Sequence, residues 1–136
     1  MAFSEPTEDI VGYGENLLPF NAGEDVLRGQ VVKVGGSISV QPSDTDGEVT
    51  HGVAVQGVSS GDQVTVAMSG CEVEATAGTG DISAGDPLTS HGGTGEEGQV
   101  DTADGTGDSI IGYALEGSSA QGDLVRMYID AGGEVN

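Results

Sequence analysis

Apolar residues in this chain alternate with polar ones over short runs and nowhere keep the 3.6-residue spacing of a helix face. Alternating stretches at 30–34 (QVVKV), 37–41 (SISVQ), 52–55 (GVAV), 63–69 (QVTVAMS) and 71–75 (CEVEA) carry the period of half-buried β-strands. One more short strand is predicted at Gln99–Thr102. Gly35-Gly36 lies between the first two runs as a tight-hairpin signal, and Pro42 stops the second because it has no N–H for a ladder. The Gly- and acid-rich stretch 90–108, SHGGTGEEGQVDTADGTGD, predicts a long exposed loop around that one strand. The expected class is all-β, with little helix.

Two of these stretches are copies of each other. In 51–70 (HGVAVQGVSSGDQVTVAMSG) and 111–130 (IGYALEGSSAQGDLVRMYID), Gly52-Val53-Ala54-Val55 falls on Gly112-Tyr113-Ala114-Leu115. Gly57 falls on Gly117 and Ser59 on Ser119. After a slip of one residue, Gly61-Asp62 falls on Gly122-Asp123, and Val64 and Val66 on Val125 and Met127. Each copy reads as two period-2 strands around a Gly-Asp turn. A shorter echo precedes each: Ala22-Gly23-Glu24-Asp25-Val26-Leu27 before the first, Ala84-Gly85-Asp86-Pro87-Leu88 before the second. The repeat is therefore a larger unit, 22–70 and 84–130, within one β domain spanning 22–136.

Residues 1–21 differ in character. Phe3, Ile10, Val11, Tyr13, Leu17, Leu18 and Phe20 are spaced apolar anchors, separated by Pro6, Gly12, Gly14 and Pro19. The breakers oppose a helix, and no alternating run is long enough to predict a strand. This reads as an extended N-terminal arm that orders on another surface, or packs on its own domain.

Charge then narrows the partners. The chain has 136 residues with 23 Asp+Glu against 3 Lys+Arg, a formal net of −20, which repels phosphate backbones and anionic lipid. Nucleic acid and membrane are not expected partners. The acids are scattered singly among β-branched positions, as on a folded halophilic surface and unlike the charge blocks of a disordered chain. No stretch has the length and apolarity of a membrane span, and the N-terminus lacks the basic and apolar regions of a secretory signal. The expectation is a protein made in the cytosol. Cys71, the single cysteine, excludes an intrachain disulfide and reads as a small buried residue.

Chemistry-bearing patterns are weak. His51 and His91 have no Cys or second His at ligand spacing and read as surface residues. No Ser lies in a nucleophile elbow, and the Gly-rich stretches lack the Lys that phosphate loops require. Asp44 and Asp46 beside Gly47, and Asp101 and Asp104 beside Gly105, offer the oxygen donors that loosely held Ca²⁺ or Mg²⁺ takes. An ordinary Asx-type turn explains the same residues. No other cofactor and no enzymatic activity are expected.

The order of motifs resembles the small capsid decoration proteins of tailed viruses, the family once catalogued as DUF2190. The resemblance rests on the AG-D-L-G opening and strand at Ala22–Val34, the hairpin at Gly52–Gly70, the I-AGD-L turn at Ile82–Leu88, and the final hairpin at Ile111–Tyr128. It implies a small β-barrel or β-tulip-like domain, as a homotrimer, on the outer surface of an icosahedral head. There it would bridge capsomers of the major capsid protein, with the arm touching the shell. The acidity adds a virus of a halophilic archaeon as the setting. The competing reading is a host-binding module of a spike, fibre or turret, which needs surface aromatics for sugar stacking. Tyr113 and Tyr128 of the β domain both fall at strand positions.

A surface adapted to salt loses its screening on dilution. Circular dichroism is expected to show loss of structure at about 0.1 M salt, where exposed charges repel over about 10 Å. An unchanged spectrum there would argue against the halophilic reading.

Overall fold

The computed structural model describes the backbone of residues 12–13 and all of residues 16–136. Eleven strands and no helix make up the described residues. They are β1 (Gly12–Tyr13), β2 (Leu17–Ala22), β3 (Val31–Gly36), β4 (Ser39–Pro42), β5 (Gly52–Ala54) and β6 (Gln63–Ala67). Then follow β7 (Glu72–Thr76), β8 (Pro87–His91), β9 (Gln99–Thr102), β10 (Ser109–Ala114) and β11 (Leu124–Glu134). The fold is all-β, with β2-β4-β3-β5-β6 closed into a barrel beside a six-stranded sheet of order β1-β7-β11-β10-β8-β9.

The internal duplication reaches individual hydrogen bonds. Reading β2 to β6 against β7 to β11, the barrel order β4-β3-β5-β6-β2 becomes β9-β8-β10-β11-β7 in the second sheet. The barrel closes through a parallel pair, Ala22↔Val40, and the second sheet makes the same closure with a single parallel bridge, Ala77↔Val100. The Ala22 N–H donates to Asp62 O at 2.8 Å and the Ala77 N–H to Asp123 O at 2.8 Å. Val26 and Val58 exchange a bridge, as do Ile82 and Ser118. The repeated Gly-Asp turns put Gly61 at φ 93° and Gly122 at φ 90°, a left-handed conformation that a side chain disfavours. Both halves thus follow one strand plan, closed into a barrel in the first and joined by a single bridge in the second, and the repeat unit includes the strand before it.

Two cores result. Inside the first barrel lie Ala22, Val26, Val32, Val40, Ala54, Val64 and Val66. The second core holds Ala77, Ile82, Leu88, Val100, Ala114, Val125 and Met127, the corresponding interior. It also takes in Val31, Val53 and Ala67 from the outside of the first barrel, so it joins the halves. Cys71 is fully buried there as a free thiol.

Several local expectations need correction. The arm does not run to residue 21: Leu17–Ala22 forms a barrel strand, paired with β6 from Leu17↔Ala67 to Asn21↔Gln63. Pro19 is tolerated because β4 pairs only with Asn21 and Ala22, which leaves Pro19 a ladder partner on one side alone. The hairpin turn falls on Ser37-Ile38, with Gly35 next to and Gly36 inside the bulged β3–β4 ladder. Ile38 adopts φ 52°, an uncommon conformation for a β-branched residue. Stretch 90–108 is largely built into the structure. Pro87 opens β8 as a first strand residue, and Gly98 bridges the halves by accepting from Val31 N (2.8 Å) and donating to Ser43 O (2.7 Å). The last strand also runs on through the polar tail, reaching Ser109↔Glu134.

Gly112 and its counterpart Gly52 sit where a Cβ would run into the backbone carbonyls of Tyr128 and Ala67. Gly112→Ala is expected to lower stability by about 1–3 kcal/mol through overpacking. The exposed Ser119→Ala should stay within about 0.5 kcal/mol of wild type. Urea melts of the two variants check the contrast.

Candidate interaction surface and charged clusters

The seven anchors assigned to the arm do not act alike. Leu17 is half-buried against the core that joins the halves, and Phe20 is half-buried against the first barrel's core. Leu18 is 46% exposed. Tyr13 lies in β1 in register with Glu72 at the edge of the second sheet. Phe3, Ile10 and Val11 fall outside the described residues. Ile38, which is 64% exposed, stands next to this region, since its carbonyl accepts from Asn21 N at 2.8 Å. Its left-handed backbone was invisible in the alternating pattern that marked it as a strand residue.

The four aspartates proposed for a cation part company. Asp44 accepts from Lys33 Nζ at 2.8 Å. Asp46, Asp101 and Asp104 line one small cavity with Thr89, His91 and Asp108. Among the described residues no group of three or more His, Cys, Asp or Glu is arranged to hold a metal ion. The two turns are instead closed by their own carboxylates. Glu48 Oε2 accepts from the N–H groups of Asp44 (2.9 Å) and Thr45 (3.0 Å), and Asp108 Oδ2 from that of Gly105 (2.9 Å). The turns are again counterparts, and they touch where the Ser109 N–H donates to Gly47 O at 3.0 Å.

His91 is not the plain surface residue its isolation suggested. Its ring is 16% exposed, with Nδ1 3.0 Å from Asp101 Oδ2 and 3.6 Å from Asp46 Oδ1, and Nε2 3.0 Å from Glu96 Oε1. These partners come from β9 and from two loops in different halves, a proximity that no local spacing encodes. Glu96 is held below its ordinary value by the Gln121 side-chain amide and by His91.

Lys33 is the other charged centre, and it bridges Asp44 and Glu48 at 2.8 and 2.9 Å. Hydrogen bonds to these two carboxylates raise the lysine above its ordinary value, against the opposing effect of burial. The same contact lowers Asp44, with help from Thr45 Oγ1. At Glu48 burial alone would raise the carboxyl, but donors from Lys33, Asp44, Ser43 and Thr45 outweigh it and the net shift is downward. The cluster staples the 43–48 turn to β3.

A further group of exposed apolar residues lies on the second sheet. Tyr113 and Tyr128, cross-strand partners on β10 and β11, are 40% and 44% exposed, and Leu115 and Leu124 flank them at 46% and 39%. Strand position had suggested that these tyrosines were unavailable as surface aromatics. They occupy the outward positions of alternating strands, with Val125, Met127 and Ile129 fully buried on the inward side.

The duplicated fold leaves the comparison with known proteins to settle the family. A family model described as phage cement protein matches residues 14–129. The chain belongs to that family. A solved structure described as the N base of head fibre gp8.5 of bacteriophage phi29 is similar in fold, with a TM-score of 0.63 and 24% identity. The likeness covers 84% of this chain and 92% of that one. No curated protein matches the chain. A cement family member is a structural, capsid-associated protein of the virion, and the expectation drawn from the motif order agrees with that at this level.

The Glu48 shift has a signed consequence. Its folded value lies below 4.5, so the stability it contributes is complete above that pH and is lost as pH falls through the folded value. Glu48→Gln is expected to melt below wild type at neutral pH, with the gap narrowing as pH falls below 4.5 and through the lowered folded value. A gap that does not narrow at all on acidification in thermal melts would remove the ionised carboxylate as its source.

Proposed function

We propose that this cement protein decorates the outside of an icosahedral head and bridges capsomers of the major capsid protein as a homotrimer. The observation that carries the reading is the family match over residues 14–129, nearly the whole β domain. The role is structural and non-enzymatic: bridging needs a rigid body with contact points, and a closed barrel with turns pinned by their own carboxylates supplies one. The acidity, 23 carboxylates against 3 cations, supports a virus of a halophilic archaeon. In concentrated salt the Debye length falls to about 3 Å, so two acidic surfaces approach without long-range repulsion. Apolar contacts then carry the binding.

The contact assigned to the capsid is the N-terminal arm with the adjoining rim, from Phe3, Ile10 and Val11 through Tyr13 to the exposed Leu18. Leu17 and Phe20 support it from within, as their half-buried side chains tie the rim to the cores. A host-surface binding module of a spike or fibre differs in copy number. Many copies per head in purified virions support decoration, and a few per particle would favour the host-binding reading.

The strand position of Leu17–Ala22 sets where the arm is cut. Deletion of residues 1–11 is expected to leave the circular dichroism spectrum unchanged and to abolish binding to heads that lack the protein. A truncated protein that still decorates those heads at full occupancy would sink the arm's role. Deletion of residues 1–20 would remove most of a barrel strand and is expected to unfold the protein.

A further inference from the structure

Carboxylates from both halves collect at one point of the seam. Asp46, Asp101, Asp104 and Asp108 line a single cavity of about 130 Å³ together with Thr89 and His91. Asp46 belongs to the 43–48 turn of the first half, and the others lie on β8, on β9 or in the loop after β9. No Lys or Arg is among them. The chain has three, all engaged elsewhere: Arg28 with Glu74, Lys33 with Asp44 and Glu48, and Arg126 with Glu72. His91 is one group against four, with Nδ1 3.0 Å from Asp101 Oδ2 and 3.6 Å from Asp46 Oδ1. Backbone N–H groups serve one oxygen each of Asp46, Asp101 and Asp108, donated by Gly92, Gly80 and Gly105.

A second observation points into the same space. Thr89 is only 4% exposed, and its Oγ1 is enclosed without a hydrogen-bond partner. The other hydroxyls lining the cavity are used: Ser90 Oγ donates to Thr45 O at 2.9 Å and Thr102 Oγ1 to Asp86 Oδ2 at 2.9 Å. Thr89 is the cross-strand partner of Asp101 and lies two residues from His91, so strand alternation puts all three on one face of β8 and β9. A buried hydroxyl left unpaired is costly, and here it stands beside four carboxylates. The unsatisfied hydroxyl and the uncompensated acids are both met by a group that is positive and brings its own water.

We propose that this cavity takes one hydrated divalent cation of the hard, oxygen-binding class, Mg²⁺ foremost, which ties the first-half turn to the second half. The donor set chooses the ion. No three acidic or histidine side chains among the described residues converge as direct ligands, so an all-protein Ca²⁺ cage is not built here. Mg²⁺ needs only one or two carboxylates and keeps several waters, and those waters reach Thr89 Oγ1 and the remaining aspartates. Asp44 takes no part, because Lys33 holds it. The site concerns the joining of the two halves and stands or falls apart from the capsid reading.

The test uses the purified full-length chain, treated with EDTA and kept in about 1 M NaCl, where general screening is already strong. Millimolar MgCl2 then hardly changes the ionic strength. At tenfold above its Kd, Mg²⁺ is expected to raise Tm by about 4 °C. Thr89→Val, which removes the unpaired hydroxyl at nearly constant shape, is expected to melt no lower than wild type in EDTA and to lose at least half of that gain. Asp104→Asn should lose it as well, while Asp62→Asn, at an exposed turn outside the cavity, should keep it. A second measurement needs no variant. Mn²⁺ favours the same oxygen ligands as Mg²⁺ and is paramagnetic. The two histidines give separate ring-proton NMR signals, and substoichiometric Mn²⁺ is expected to broaden His91 well before His51, with excess Mg²⁺ reversing it. No shift with Mg²⁺, a shift that either cavity variant keeps in full, or equal broadening of both histidines overturns the site and leaves only diffuse counter-ions on an acidic surface.

Discussion

The structure depends on one face of the first barrel being covered by the second half. Val31, Val53 and Ala67 point away from the first barrel's own interior and are fully buried in the core that joins the halves. Each fully buried valine of this kind contributes about 1.5–3 kcal/mol. Short strands and small side chains leave each barrel with a modest core, so neither half has much apolar area to itself. The backbone follows the same seam: Gly98 of the second half links Val31 and Ser43, and the Thr76 N–H donates to Gly29 O at 2.9 Å. Duplication here makes one cooperative body and not two independent ones.

The acidity is handled locally where it bears on structure. Two turns at the seam use their own carboxylates as caps for backbone N–H groups. Lys33 and His91 each draw in more than one acid, and His91 gathers them from three segments. Asp25, Asp86 and Glu116 likewise accept from backbone N–H groups. Such an arrangement suits a protein whose work is to hold position on a shell: rigid turns, a closed barrel and exposed apolar points at the rim.

Membership of the phage cement family makes this a structural, capsid-associated protein of the virion. The arm-side rim, with Leu18 and Ile38, and the tyrosine face on the second sheet lie on different halves of the chain.

Much of this was legible in the chain itself. Period-2 alternation marked the strands because a pleated ladder sends successive side chains to opposite faces. The paired Gly-Asp turns exposed the duplication because a left-handed turn position admits little but glycine. The family resemblance followed from those same residues. Tertiary structure alone decided the rest. Leu17–Ala22 is a strand because β6 and β4 supply its partners, although the local sequence has proline and no long alternation. His91 meets Asp46, Glu96 and Asp101 only when loops of both halves converge. Alternation showed that Val53 and Tyr113 hold equivalent positions, but not that one is covered and the other open. That difference is set by which face the neighbouring half occupies, and a repeat in sequence carries no record of where its copies pack.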